Sequence, residues 1–461
     1  MEFRNILHNL PEVKGPVEKK LSFNVKLKWT LIILAAFFIL ANIPLYGLAK
    51  NSLDRFQYLA VLLGTDFGSI ISLGIGPIVM ASIILQLLVG SKILNIDTTT
   101  EEGKKFFQGL QKLVVFFFII FEALVYVLMK GLEAIPGYGF IVVFQLILGG
   151  LAIMFMDEVT TKWGFGSGVS LFIVAGVGWR LFTEMFQFIG QQGGNCLLDF
   201  SNTPCPGKIF VFIQSIINGA PIEALNALAI LGATALIFLV VVWAQSLKVE
   251  VPLSFDRLRG YGIKWPLSFF YASNIPVILT AALVANLQLF AGLAESWLGK
   301  ATFLGTFSQG TPIAGFAFWI SSTNLVQAAI TGSLRGVFIL QAFSHILFFI
   351  LFSVIFAVFW VKTSGMDASS QAHNIMASGL QIPGFRKDER VLESVLERYI
   401  LPLTIMGGAA VGLLAASADL VGALTGGTSI LLAVMIIYQF YQKIAEQHSV
   451  DMNPALKKFI S

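Results

Sequence analysis

Three groups of residues in this 461-residue sequence have types and spacings that invite a chemical reading. His345, in the string SHILFF, is a candidate general base or proton relay. No Asp, Glu or Cys stands near it in sequence, and a buried histidine bonded to its surroundings explains it as well. The run GFGSG at residues 164–168 sets Ser167 among glycines, as an exposed nucleophile would need. The glycine an intramembrane nucleophile requires two places earlier is instead Phe165, and no histidine has a matching spacing. The run also lacks the strand that precedes a dinucleotide-binding loop, and glycines opening a helix account for it. Cys196 and Cys205, in GGNCLLDFSNTPCPG, flank a turn-rich stretch and are compatible with a disulfide or with two free thiols. The four histidines and two cysteines are otherwise scattered, so no metal-ligand set, cofactor or catalytic residue is assigned.

The elements that must hold these residues are set by composition. Hydrophobic residues make up 56% of the chain and charged residues only 12%, with 42 Phe and 43 Gly. The mean hydropathy is +0.81. A water-soluble fold could not cover that much apolar surface, which excludes a soluble enzyme, a disordered regulator and a small disulfide scaffold. The net charge of +4 is too mild for a DNA-binding protein. The chain reads as an all-α polytopic membrane protein.

Ten windows are long and apolar enough to cross a bilayer: roughly 27–47, 75–92, 108–129, 138–156, 167–187, 223–246, 270–290, 336–360, 399–418 and 426–443. Residues 208–220 are apolar but short and read as interfacial, and 311–330, rich in Ser, Thr, Asn and Gln, reads as an extramembrane loop against the surface. With ten spans and both termini in the cytosol, 23 of the 30 lysines and arginines fall inside, as the positive-inside rule requires. An eleventh span at 311–330 would put the cluster Lys362–Arg398 outside. Residues 1–26 form a cytosolic amphipathic segment, read as a surface helix with a basic tail as the alternative. The external hinge loop 191–222 divides a first half, 27–190, from a second half, 223–445, and 446–461 is a cytosolic tail. Two halves with five spans each must have opposite orientations, which is an inverted repeat.

The stretch 51–92 is the most informative. Residues 53–70 read as a short helix, yet Asp54, Arg55, Gly64, Asp66 and Gly68 make it a poor lipid-facing span. Gly74, Gly76 and Pro77 then break regularity before a clean apolar helix. A re-entrant half-helix followed by a second piece that completes the crossing fits this pattern. Irregular backbone at that depth must be buried in protein or line a cavity, so a cavity among the helices is expected.

Five strings carry a resemblance: GIGPIVMASIILQLLVGS (74–91), KWGFGSGVSLFIVAG (162–176), YASNIPVILTAAL (271–283), IPGFR (382–386) and GGTSILLAV (426–434). Together, across all ten spans, they resemble the SecY family, the large subunit of the Sec protein-conducting channel, in its archaeal and eukaryotic branch. The resemblance implies two inverted five-helix halves around a central pore, with no enzyme activity. It implies a constriction ring of Ile75, Val79, Val169, Ile173, Ile278 and Leu432. The spacing of Ile75 from Val79 and of Val169 from Ile173 independently puts each pair on one helix face, although Leu431 is one register from Leu432. It implies a plug at 55–68, including Phe56, Leu59, Leu62, Gly64, Phe67 and Gly68, that closes the pore from outside.

The family also opens sideways, between the second and third spans and the seventh and eighth. Glu122 and Asn286 match a polar cluster at that gate, whose third member, usually a small hydroxyl residue, is Met80 here. Arg257, Arg259, Arg386 and Lys387 lie in two basic cytosolic loops that match the family's ribosome-binding positions. The implied partners are the ribosome, signal-sequence-bearing preproteins, the lipid bilayer, a SecE-type gamma subunit and a small beta subunit, at the cytoplasmic membrane. A secondary transporter is the alternative that also uses inverted repeats and broken helices. It would need coordinating groups at the midplane, where this chain offers mainly Glu122.

Overall fold

The computed structural model describes the chain apart from residues 1–9, 18–20, 52, 54–59, 61, 95, 97–99, 191–195, 199–203, 256–261, 309, 378–379, 382–387 and 453–461. The first half contains α1 (Phe23–Ala41), α2 (Gly76–Gly90), α3 (Glu101–Leu128), α4 (Gly139–Trp163) and α5 (Gly168–Phe186). A short α6 (Lys208–Ile217) follows, with Ile213, Ile216 and Ile217 exposed, as an interfacial segment requires. The second half contains α7 (Pro221–Gln245), α8 (Ile275–Leu298), the short α9 (Phe316–Ile320) and α10 (Leu325–Ile330), and α11 (Gly336–Thr363). It ends with α12 (Ala368–Ala377), α13 (Glu389–Val421) and α14 (Gly427–Met452). Among the described residues nine helices are long and apolar enough to cross a membrane. The tenth crossing is α2, whose 15 residues rise only about 22 Å at 1.5 Å each. The turns at 63–75 make up the rest of its path.

Among the described residues three small sheets collect the helix ends. β1 (Leu48–Asn51) pairs antiparallel with β2 (Leu132–Ala134), so the segments after α1 and α3 share one side. At the opposite ends, β3 (Lys248–Phe255) pairs with β4 (Gly262–Ser268) and with β7 (Leu380–Gln381). β5 (Thr306–Ser308) and β6 (Thr311–Ala314) form a hairpin beside α9. The 311–330 segment therefore does not span: it is one strand and two helices of 5 and 6 residues, folded against α11 and α13.

The two halves repeat one another in backbone detail. Gly74 and Ser273 both have positive φ, +54° and +63°, and each stands three residues before a proline that opens a helix. The caps that follow, Ile75 (φ −85°, ψ −3°) and Asn274 (φ −87°, ψ −11°), are nearly superposable. The same holds at α5 and α14. Asp157, near the end of α4, accepts a hydrogen bond from the Val169 N–H at 3.0 Å, and Asp419, near the end of α13, accepts one from the Thr428 N–H at 2.6 Å. Each carboxylate satisfies an N–H in the first turn of the next helix, which has no partner inside that helix. Gly168 and Gly427 precede those residues, and a Cβ at either would run into the backbone of the preceding helix. Five residues beyond these glycines stand Ile173 and Leu432.

Two expectations are corrected here. Residues 10–17 contain no helix, although an amphipathic helix was expected across 1–26. Pro11 and Pro16 lack the N–H a helix needs, and the segment lies as a strap on the end of α4. There Lys162 pairs with Glu12 and Glu158 and donates to the Val13 carbonyl, and Trp163 Nε1 donates to Lys14 O at 3.0 Å. In the expected helix 53–70, the described helical residues end at Leu62. Gly64 (φ +53°) and Gly68 (φ +100°) turn the chain before it could reach residue 70.

Candidate functional site

The irregular approach to α2 docks one end of the proposed plug directly on the proposed ring. The Ile75 N–H donates to the Leu63 carbonyl at 2.8 Å, and the Thr65 hydroxyl donates to the Ile71 carbonyl at 2.6 Å. A Cβ at Gly64 would sit 3.4 Å from Phe172 Cβ and 3.5 Å from Ile75 Cγ2, so the turn lies on both. Leu63 and Phe67 are buried, Leu62 is half-buried, and Phe56 and Leu59 lie outside the described residues. Gly68 meets the Asn51 side chain, whose Nδ2 donates to the Phe67 carbonyl at 2.9 Å.

Ile75, Val79, Ile173, Ile278 and Leu432 are all buried within one apolar cluster that draws on both halves, with Val169 packed at its edge. Leu431 and Leu432 are equally buried. The repeat relation separates them, because Leu432 occupies in α14 the place of Ile173 in α5. It likewise pairs Val79 with Ile278, each two residues after its proline. The mate of Ile75 is Asn274, whose Oδ1 accepts from Gln439 Nε2 of α14 at 2.9 Å.

Glu122 on α3 is fully buried and neither carboxylate oxygen has a hydrogen-bond partner among the described residues. It abuts the first residue of α2: a Cβ at Gly76 would lie 3.0 Å from Glu122 Oε2. Asn286 turns to its own helix, Nδ2 donating to Ala282 O at 2.9 Å, and Met80 is half-buried on α2. The structure therefore sets Glu122 at the α2 start and leaves Asn286 without a bond to it. Exchanging Glu122 for Leu removes a buried polar group from the α2–α3 contact. The expected result is a changed signal hydrophobicity threshold in a graded-signal translocation assay, with Glu122→Gln closer to wild type because it keeps a polar group there.

His345 is buried, with Nδ1 2.7 Å from the Ile320 carbonyl and Nε2 3.5 Å from Asp419 Oδ2. Nδ1 must donate to that carbonyl, so the ring is anchored to backbone, and Nε2 has no hydrogen-bond partner among the described residues. Asp419 is the neighbour sequence reasoning missed, 74 residues away. It and Glu184, whose Oε2 accepts from the Thr425 N–H at 3.0 Å and so joins the halves, line a cavity of about 270 Å³ with Arg180 and His345. The sequence held a signal for the two capping aspartates: the apolar windows 138–156 and 399–418 each stop one residue before one. Ser167 faces Asp157, with Oγ 3.5 Å from Oδ1. Among the described residues no group of three His, Cys, Asp or Glu is placed to hold a metal.

Arg257, Arg259, Arg386 and Lys387 lie outside the described residues, but the backbone leading to them is placed. Ser254 pairs with Gln381 and Phe255 with Leu380, so the last described residues before the two segments, Phe255 and Gln381, lie one residue apart in register on neighbouring antiparallel strands. Behind this sheet the Tyr271 hydroxyl donates to Met366 O at 2.7 Å, tying the approach to α8 to the α11–α12 corner. Burial, with Asp367 nearby, pushes that phenol up to about 12. Cys196 and Cys205 are bonded to each other, with Cα atoms 5.3 Å apart. The loop they close is anchored beside α5, where the Gly207 N–H donates to Gln187 O at 2.9 Å.

These features define a multi-pass helical membrane protein of two inverted halves, packed on a shared aliphatic centre. The SecY family model matches residues 69–441, and the model described as the plug domain of Sec61p matches residues 36–68. The chain belongs to the SecY family, and it is a protein-conducting channel. It is similar to the protein translocase subunit SecY of Methanothermobacter thermautotrophicus, at 44% identity over 100% of this chain and 98% of that one. Against the Pyrococcus furiosus subunit of the same name identity is 38%, over 99% of both. A solved structure titled "The structure of a protein conducting channel" superposes with a TM-score of 0.81 at 35% identity, covering 98% of each chain. Sec61 in a canine ribosome-channel complex from the endoplasmic reticulum gives a TM-score of 0.77 at 35% identity, again covering 98% of each.

Proposed function

We propose that this channel seals itself with a ring of Ile75, Val79, Val169, Ile173, Ile278 and Leu432 and with the plug at 55–68. The observation that carries the reading is the Leu63–Ile75 hydrogen bond, which couples plug to ring, within a cluster of aliphatic side chains from both halves. A narrow aliphatic constriction disfavours water and ions, yet its side chains mould around an extended polypeptide and hold no particular residue. Signal sequences enter lipid between α2 and α3 on one side and α8 and α11 on the other, driven by transfer of apolar side chains out of water.

The channel works in the cytoplasmic membrane, with both termini cytosolic, beside a SecE-type gamma subunit and a small beta subunit. The ribosome docks on the edge of the β3–β4–β7 sheet through Arg257, Arg259, Arg386 and Lys387. The pairing of the strands that lead into those two segments supports a joint surface, and the canine relative is a ribosome-channel complex. Reversing Arg257 and Arg386 to Glu should lower ribosome affinity by about tenfold or more at low salt and flatten its salt dependence, because phosphate contacts release counterions. Sedimentation of ribosomes with proteoliposomes across a salt series measures this, and an unchanged affinity rejects the surface.

A further inference from the structure

α2 is held at its two ends by different halves of the molecule. At its start Gly76 lies on Glu122 of α3, in its own half. At its end Gly90 lies under the ring of Phe359 on α11, in the opposite half: a Cβ there would be 2.5 Å from Phe359 Cδ1 and 2.7 Å from Cγ. Gly90 closes a helix without positive φ, so its backbone conformation suits any residue, and alanine is the better helix former. The contact with Phe359 is what the missing side chain permits.

Two seams inside the halves are built differently. Gly408 and Gly412 of α13, four residues apart, let α11 approach at backbone level, since a Cβ at Gly412 would be 2.7 Å from Phe349 O and one at Gly408 would be 3.2 Å from Ser353 O. Gly149 of α4 similarly receives the Ile70 carbonyl of the turn before α2. Backbone-on-backbone seams of this kind part only by moving whole helices. At Gly90 the α2–α11 seam meets instead an aromatic side chain, and that ring is only half-buried.

We propose that Phe359 seated on Gly90 is a releasable latch at the end of the α2–α11 seam, and that this pair sets how apolar a helical segment must be to part the helices and enter lipid. The inference rests on the lateral-gate reading above. An entering segment gains its own apolar transfer free energy and must exceed the cost of lifting the ring from Gly90. Weakening the latch therefore admits less apolar segments.

The test uses the full-length channel in its native membrane and a secreted reporter whose signal cores are graded from Ala to Leu. Gly90→Ala displaces the ring and Phe359→Ala removes it. Each should lower by about two the leucines needed for half-maximal export. The double variant should shift the threshold no further than Phe359→Ala alone, because a methyl at position 90 then meets no ring. Unchanged thresholds in both single variants, or additive shifts in the double, overturn the latch. A cysteine in the signal core and Met80→Cys on α2 separate this from the gate reading. Failure of those two to crosslink in the otherwise wild-type channel rejects the gate, whereas crosslinking with unmoved thresholds rejects the latch alone.

Discussion

Proteoliposomes holding the channel with Ile75 and Ile278 both changed to Asn are expected to pass small ions at rest about tenfold faster than wild type. Ile75 caps α2 and Ile278 lies in α8, the repeat-related helix of the opposite half, and both are buried in the central cluster. Two carboxamides there supply donors and acceptors where the wild-type constriction offers none, so water can persist across it. The paired Ile75→Leu and Ile278→Leu variant keeps the centre apolar and should leak no more than wild type, which separates polarity from a packing change. Deleting residues 56–66 should also raise the leak, because it removes Leu63, whose carbonyl holds the Ile75 N–H. Single-channel or ion-flux recordings decide the matter. An Asn variant that folds and conducts as little as wild type would remove Ile75 and Ile278 from the seal.

The second large effect is on stability. Asp419→Ala should destabilise the folded channel by about 3 kcal/mol. It strips the acceptor from the Thr428 N–H and from the Thr428 hydroxyl, both held at 2.6 Å, at a buried helix start. The repeat-related Asp157→Ala should cost less, since Asp157 takes the Val169 N–H at 3.0 Å and the Ser167 hydroxyl only at 3.5 Å, both longer than the 2.6 Å bonds of Asp419. Asp419→Asn should stay closer to wild type: its carbonyl oxygen still accepts from the Thr428 N–H, its amide presents a donor toward His345 Nε2, and the Thr428 hydroxyl, which loses Oδ2 as acceptor, still reaches Ala415 O at 3.3 Å. Thermal inactivation of the purified channel, followed by gel filtration, should rank the variants Asp419→Ala, then Asp157→Ala, then Asp419→Asn from least to most stable. Equal behaviour of Asp419→Ala and Asp157→Ala would mean that the extra bonds of Asp419 carry no weight.

Long apolar runs were legible because a bilayer imposes length and hydropathy on every crossing residue, whatever its neighbours. The break at Gly74–Pro77 was legible for a related reason, since only particular residues tolerate that backbone. The helix expected across 53–70 was not, because composition does not say which glycines take positive φ, and Gly64 and Gly68 do. The N-terminal helix failed at 10–17, where two prolines outweighed an amphipathic pattern. His345 showed no acidic neighbour in sequence because Asp419 reaches it only through packing of α11 on α13.

Sequence by itself determined the membrane class, the ten crossings, the inverted halves and, through its motifs, the family, because each is a local property of a segment or a count of segments. Only the tertiary structure decided which carboxylate caps which helix, that Glu122 meets Gly76, that the plug end is bonded to Ile75, and that Gly90 lies under Phe359. Those are relations between residues from 9 to 269 positions apart in the chain. They depend on how helices of opposite orientation pack, and hydropathy carries no record of that.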